Sequence, residues 1–259
     1  MTRSSPDIPN SYAEAADILS HSSYAVALTG AGISTPSGIP DFRSPTSGLW
    51  AHSDPMAVAS LAGFRLKPEL FFAWIRPLAR TIRDAQPNPA HLALARMEEM
   101  GILRAVITQN IDVLHTRAGS KHVLEVHGHM REATCGACFR IWPTDIFLEQ
   151  FIETGEVPHC PECGGVLKPN VILFGEQLPM KILREAEQAA HECDAMLVVG
   201  SSLEVAPAAD LPREALARGA RLVIINFEPT YVDGRADVVI NDDAAVVLPR
   251  LLELLDKRQ

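Results

Sequence analysis

The stretch ALTGAGISTPSGIPDFRS, residues 27–44, decides how this chain is read. An apolar run ends in Gly30-Ala31-Gly32, a pattern like the opening of a loop that holds a dinucleotide. Glycines there remove the Cβ atoms that would keep backbone N–H groups away from a phosphate. The usual fingerprint then asks for a third glycine and a clean helix. Thr35 stands at that place, and a proline-rich turn leads into Pro40-Asp41-Phe42-Arg43. Gly-x-Gly alone is also a tight turn with no ligand, so the rest of the chain has to choose.

Outward from that loop, apolar runs of strand length alternate with helical patterns. Tyr24–Thr29, Arg104–Thr108, His122–Val126, Val171–Phe174, Ala195–Gly200 and Arg221–Asn226 read as buried strands, with Ala236–Ile240 as a seventh. Near-continuous apolar strands are what a parallel sheet covered on both faces requires. Ala13–Ser20, Ala90–Met100, Met180–Glu192, Ala206–Arg218 and Ala244–Lys257 read as helices. The expectation is an α/β fold with a Rossmann-like doubly wound parallel sheet. Two stretches break the alternation, so residues 1–45, 89–129 and 169–259 are assigned to the sheet domain. A helical insertion, 46–88, and a cysteine-bearing insertion, 130–168, form a smaller lobe. A cleft between lobes is a usual ligand site.

At 259 residues, 47% hydrophobic and 21% charged, the chain can bury a large core without disulfides. The net charge of −9 argues against direct contact with nucleic acid. The N-terminal MTRSSPDIPNS has no apolar signal region, and no run of about 18 apolar residues follows. The expectation is a cytoplasmic protein with no membrane partner.

Four of the five cysteines fall in two Cys-x-x-Cys pairs, Cys135/Cys138 and Cys160/Cys163, with residues 139–159 between them. Each pair turns two sulfurs toward one ion, and four thiolates close a tetrahedron. A closed site leaves no position for substrate, so one structural zinc per chain is expected. Cys193 has no partner in sequence and reads as a small core residue. A zinc ribbon could also serve as a nucleic-acid or protein-binding module. Here Arg131, Arg140 and Lys168 are outnumbered by Glu132, Asp145, Glu149, Glu153, Glu156 and Glu162, so the basic stripe is missing.

The strand ends favour a ligand. TQNID (Thr108–Asp112), GSSLEVAPA (Gly200–Ala208) and INFEP (Ile225–Pro229) all sit where ligands bind in an open α/β sheet. An ordinary NAD-dependent dehydrogenase would need an acidic residue about 20 positions after its third glycine. Neither feature fits, and Glu228 is the better ribose partner. His127 follows a strand and precedes Gly128, facing the same edge. Imidazole is the natural base near neutral pH, although a lone histidine is often structural. His129 reads as lobe rim and His115 as helix packing.

GAGIS…GIPDFRS, TQNIDVLHTRAGS, LEVHG, CxxC…CxxC, KPNVILFGE, VVGSSLEVAPAA and IINFEP occur in the order seen in sirtuins, the NAD-dependent protein lysine deacylases. The chain resembles that family, in its bacterial type, over nearly its whole length. The resemblance implies NAD as co-substrate, one structural zinc and an acetyl-lysine protein or peptide as partner. It implies that Gly30, Ala31, Gly32, Thr35 and Arg43 line the dinucleotide, and that Phe42 covers the nicotinamide ribose as an apolar lid. Gln109, Asn110, Ile111 and Asp112 would contact nicotinamide and ribose, Asp112 through the carboxamide. Asn110 would hold a ribose hydroxyl or an ordered water. Gly200, Ser201, Ser202, Asn226, Glu228 and Ala244 would form the adenosine side.

The implied chemistry is attack of the acetyl oxygen on the ribose C1′, loss of nicotinamide, and base catalysis by His127 on the resulting adduct. The products are free lysine, nicotinamide and O-acetyl-ADP-ribose. Val171 and Phe174 would line an acyl tunnel, though both also read as core. Gly175, Glu176 and the backbone around Val205 would pair with an extended peptide. Mono-ADP-ribosyl transfer and removal of other acyl groups remain alternatives. Relatives that prefer succinyl groups carry Tyr-x-x-Arg in the helical lobe; here FFAWIRPLAR has Trp74, Arg76 and Arg80 but no tyrosine. The expectation is therefore a neutral short acyl group.

Overall fold

The computed structural model describes residues 9–42, 48–50 and 53–258. The elements are α1 (Asn10–His21), β1 (Ala25–Thr29), α2 (Pro55–Val58), α3 (Leu61–Leu66), α4 (Pro68–Asp84), α5 (Pro89–Glu99), β2 (Leu103–Thr108), α6 (Leu114–Ala118) and β3 (Val123–Glu125). There follow β4 (Gly128–Cys135), β5 (Ile141–Pro143), α7 (Leu148–Thr154), β6 (Leu167–Val171), α8 (Met180–Glu192), β7 (Ala195–Val199), α9 (Leu211–Ala217), β8 (Arg221–Ile225), β9 (Val238–Ile240) and α10 (Ala244–Asp256).

Six strands form one parallel sheet in the order β3-β2-β1-β7-β8-β9. Alternate side chains of each strand go to opposite faces. Ala25, Ala27, Leu197 and Val199 pack into the core shared with α1, α5 and α10. Val26, Leu28, Met196 and Val198 pack into the second core, under α8 and α9. Every residue of β1 and β7 is buried, which is why these strands read as unbroken apolar runs. Chain order reverses between β1 and β7, and this switch point fixes where a ligand crevice opens.

One expected strand belongs elsewhere. The segment Val171–Phe174 does not enter the parallel sheet. The strand there is β6, and it pairs antiparallel with β4 in a three-stranded sheet ordered β5-β4-β6. Its burial alternates along Leu167–Val171, the signature of a sheet with one wet face. This sheet begins at Gly128 and ends at Val171, slightly wider than the expected insertion. The expected helix Ala206–Arg218 is also shorter, with a 3-10 turn at Ala208–Asp210 before α9.

The two insertions form one lobe. Phe64, Phe71, Phe72 and Ile75 of the helical insertion share a core with Phe151 and Ile152 of α7. Phe72 meets Phe151 edge-on at 5.2 Å between ring centroids. Arg76 donates from Nε to the Ile152 carbonyl at 2.9 Å and from Nη2 to the Glu153 carbonyl at 2.7 Å. Arg80 reaches the Ile152 carbonyl at 3.2 Å. Both guanidinium groups thus cap the carbonyl end of α7, where positive charge is favoured.

Candidate active site

The loops after β1, β2, β3, β7 and β8 meet above the switch point. Gly30, Gly32 and Gly200 form the floor by touching each other. A Cβ on Gly30 would lie 2.8 Å from the Gly200 oxygen, and one on Gly32 would lie 2.9 Å from the Gly200 Cα. Gly200 has φ +59, and a Cβ there would lie 2.3 Å from the Ile33 nitrogen. The N–H groups of Gly30 and Gly32 themselves are used within the fold. Gly30 N–H donates to the Val199 carbonyl at 3.1 Å and Gly32 N–H to the Gly200 carbonyl at 2.8 Å. These glycines are small so that two loops can interlock, and the interlocked loops make the crevice floor.

Ser34, which sequence reasoning passed over, ties the floor to TQNID. Its hydroxyl donates to Asp112 Oδ2 at 2.7 Å. It accepts from Asn110 Nδ2 at 3.1 Å and lies 3.4 Å from His91 Nε2. His91 Nδ1 accepts from the Asn88 N–H in the capping box of α5, so Nε2 carries the proton and donates to Ser34. Asn110 Nδ2 also donates to the Gly30 carbonyl at 3.1 Å. Both amide hydrogens are then used, and Oδ1 remains as the group Asn110 offers to a ligand, an acceptor suited to a ribose hydroxyl.

Asp112 is 3% exposed, and its Oδ1 accepts from Leu114 N–H at 2.9 Å. Burial pushes its carboxyl above the usual range. Val113, next in the chain, holds φ +59 to make that turn, a costly conformation for a β-branched residue. His115 is fully buried beneath, with Nε2 2.9 Å from Thr29 Oγ1, and Thr29 donates on to Thr108 Oγ1 at 2.8 Å. Burial holds His91 down to about 4 and His115 well below the ordinary imidazole value. Both are therefore neutral at pH 7. His115 thus packs a helix, as expected, and also anchors the polar layer under the site.

His127 sits where the chain leaves β3 for β4. Its Nδ1 lies 3.2 Å from the Gln109 carbonyl oxygen. A carbonyl only accepts, so Nδ1 is the donor, and in the neutral ring Nε2 is the basic nitrogen. That tautomer is the one a general base needs. The turn is forced by Gly128, φ +75, where a Cβ would fall 2.0 Å from the Asn170 oxygen. Ile111 supports the same corner, its carbonyl accepting from Met130 N–H at 3.2 Å.

The other expected site residues divide. Gln109 donates from Nε2 to Ser201 Oγ at 3.0 Å, and that hydroxyl also accepts from Leu203 N–H, so Ser201 works inside the loop while Ser202 is half-exposed. Asn226 lies at the end of β8, donating to the Glu228 carbonyl at 2.7 Å; Glu228 is exposed beside it. Ala244 is 6% exposed and packed in the core at the start of α10. Its methyl group is turned into the protein. Ala31 is half-buried and Thr35 exposed on the loop after β1, with Thr35 Oγ1 closing onto the Gly32 carbonyl. Phe42 is half-buried, 5.4 Å from the Trp50 ring, and Trp50 stacks on Trp74 at 5.1 Å. Arg43 lies outside the described residues.

On the expected peptide side, Val171 is core at 4% exposure, while Phe174 is 39% exposed and 6.1 Å from Trp50. Gly175 follows with φ +79. Glu176 is half-buried. Its N–H closes a turn onto the Leu173 carbonyl, and its carboxylate holds Lys168 at 2.9 Å. Its N–H and carboxylate thus brace the loop. The Val205 carbonyl accepts from Ala209 N–H.

The metal residues are brought together as expected. One Sγ of each of Cys135, Cys138, Cys160 and Cys163 lies within 4.8 Å of the others. Cys135 and Cys163 are 3.4 Å apart, Cys138 and Cys160 3.8 Å. A tetrahedron with zinc–sulfur bonds of ~2.3 Å has edges of ~3.8 Å. Gly165 is cradled against this cluster, since a Cβ there would lie 2.8 Å from Cys135 Sγ. N–H groups of Cys138 and Ala137 hold the Cys135 thiol down to about 6, favouring the thiolate a metal requires. The donor set fits zinc. Cys193 is a buried thiol pushed up to about 12 by desolvation, as an inert core residue should be.

A glycine-floored crevice at a switch point, with a polarised imidazole and a four-thiolate lobe beside it, defines a nucleotide-using α/β enzyme with a structural metal. Residues 30–207 match the Sir2 family. The chain is 49% identical over 241 residues to NAD-dependent protein deacylase 2 of Archaeoglobus fulgidus, covering 93% of this chain and 94% of that protein. It is 45% identical to an NAD-dependent protein deacetylase of Saccharolobus solfataricus, covering 93% and 96%. A solved structure described as the basis for the mechanism and regulation of Sir2 enzymes superposes with TM-score 0.91 at 47% identity, covering 97% of this chain and 100% of that one. A Sir2 complex with a deacetylated p53 peptide and 3′-O-acetyl-ADP-ribose superposes with TM-score 0.88 at 41% identity, covering 93% and 97%. The chain belongs to the Sir2 family, the sirtuins.

Proposed function

We infer that this protein is an NAD-dependent protein lysine deacetylase that moves an acetyl group from lysine to ADP-ribose. The observation that carries the reading is the His127 tautomer, set by the Gln109 carbonyl at 3.2 Å beside Asn110 and Asp112. NAD supplies an electrophilic ribose carbon and a nicotinamide leaving group. Asp112 accepts from the carboxamide. Asn110 Oδ1 accepts from a ribose hydroxyl and aligns it. His127 Nε2 then removes a proton from ribose so that its oxygen can take the acyl group. Phe42 and Trp50 keep water away while the adduct exists.

The acyl group is neutral and short on this reading, because Arg76 and Arg80 are committed to α7. The residue boundaries 1–45, 89–129 and 169–259 for the sheet domain, with 46–88 and 130–168 as the second lobe, serve as a working division. No helix among the described residues is long and apolar enough to cross a membrane. A cytoplasmic location is supported by the reduced thiols that the metal site needs.

The test is mass spectrometry of the zinc-loaded protein with an acetyl-lysine peptide, with and without NAD. Loss of one acetyl group matched by released nicotinamide is expected, and His127→Ala should cut turnover by about a thousandfold. ADP-ribose attached to protein in place of deacetylation moves the assignment to a transferase.

A further inference from the structure

His127 stands on the crossing between two sheets, where backbone bonds are single and scattered: Val126 N–H to the Thr108 carbonyl, Ile172 N–H to the His127 carbonyl and Met130 N–H to the Ile111 carbonyl. β3 ends at Glu125, paired with Thr108 of the parallel sheet. β4 starts at Gly128 against Val171, but its register with β6 then breaks until Ala133. Across this gap lies an ion pair the deacetylase reading does not use. Arg131 Nη1 donates to Glu125 Oε1 at 2.6 Å and Nη2 to Oε2 at 2.5 Å. This is the bidentate geometry that fixes direction as well as distance. Glu125 is 9% exposed and Arg131 more open, so the carboxylate is the buried partner. Glu125 belongs to the sheet lobe and Arg131 to the metal lobe. Thr144 of the metal lobe in turn donates to the Met130 and Arg131 carbonyls, at 2.8 and 3.0 Å. The pair therefore closes a six-residue span around His127.

We propose that the Arg131–Glu125 pair is a positioning brace that holds His127 against the Gln109 carbonyl by tying the two lobes together across the crossing. The inference rests on His127 being the base. Neither residue is among the expected NAD or peptide contacts. Their effect passes through the placement of His127, where a shift of about 1 Å can cost ~100-fold in rate.

Two reaction steps separate this role from simple stability. Exchange of labelled nicotinamide into NAD, with acetyl peptide present, needs bond cleavage but not the base that acts after it. Deacetylation needs both. Arg131→Met in the zinc-loaded protein should lower deacetylation kcat about tenfold and leave exchange within about twofold. Arg131→Lys keeps one charged hydrogen bond and should recover to within about threefold of the parent. Glu125→Gln combined with Arg131→Met removes the tether without stranding a charge, so it too should be slow in deacetylation alone. It carries the test if Arg131→Met does not fold.

Deacetylation unchanged in Arg131→Met, or falling in step with exchange, overturns the brace. Recovery in the double variant also overturns it, assigning the loss to an unpaired carboxylate. His127→Ala is the control for the base: if it deacetylates at the parent rate, the base assignment fails, and that failure is visible separately from the brace.

Discussion

In the sheet lobe, every residue of β1 and β7 is buried and two large cores lie on either face. In the metal lobe, the core under the three-stranded sheet has four buried members among the described residues, and two of them are the metal cysteines Cys135 and Cys160. The first region is held by apolar area, whereas this small sheet has little of its own and carries the four thiols of the metal site. Apolar burial is non-directional and needs many residues. Four thiolates around one ion need few residues but all of them at once. The proposed base His127 sits where the two regimes meet, in the turn between β3 and β4.

Removing the metal breaks the comparison most severely. Cys135→Ser should take bound zinc from one per chain to none, and structural zinc is worth on the order of 10 kcal/mol in small metal domains. Hydrogen exchange should show Gly128–Val171 losing protection while β1 and β7 keep theirs. Equal loss in both lobes would show that the sheet lobe does not stand alone.

Next in size is Ser34→Ala, which touches the apolar lobe at its polar layer. It strips Asp112 of a 2.7 Å hydrogen bond and orphans donors of Asn110 and His91. A fall in kcat/KM of roughly 10–100-fold is expected, with stability down by about 2 kcal/mol, read by kinetics and urea unfolding.

Acid should probe the same layer. His91, held down to about 4, takes up protons on unfolding below its ordinary value. Its contribution is complete above about pH 6.5 and is lost as pH falls toward 4, about 2 kcal/mol by pH 5. His115 acts in the same direction, while Asp112, pushed up by burial, opposes it. Urea midpoints at pH 7 and pH 5 test the sum. A midpoint that does not fall would mean the histidine layer opens before global unfolding.

The smallest expected effect is a gain. Val113→Gly relieves a residue at φ +59 and should add about 0.5–1 kcal/mol, since glycine's extra unfolded freedom offsets part of the relief. Thermal unfolding reads it. No gain would mean that Val113 packing outweighs the strain.

Much of this was legible before the fold was seen. Ala195–Val199 reads as a buried strand because a strand covered on both faces has no polar period. The cysteine spacing reads as a metal site because its chemistry is local to two turns. His127 reads as a candidate base from its strand-end position, and the fold places it beside Gln109 at that edge. Less legible was Val171–Phe174, an apolar run that period alone cannot assign to a sheet. Ser34 and the Glu125–Arg131 pair were missed altogether, since neither shows a pattern until separate loops are placed side by side.

What the sequence determined by itself was whatever depends on neighbours along the chain. That covers the strand order of burial, the paired-cysteine turns, the glycine positions and the composition of each strand end. What only the tertiary structure decided was where individual protons and lone pairs point. The N–H groups of Gly30 and Gly32 turned out to go to the Val199 and Gly200 carbonyls, both amide hydrogens of Asn110 to be used, and His127 Nδ1 to meet the Gln109 carbonyl. The reason is physical. Burial pattern is a property of one segment, whereas a donor is free or used only with respect to the acceptor that another segment brings to it.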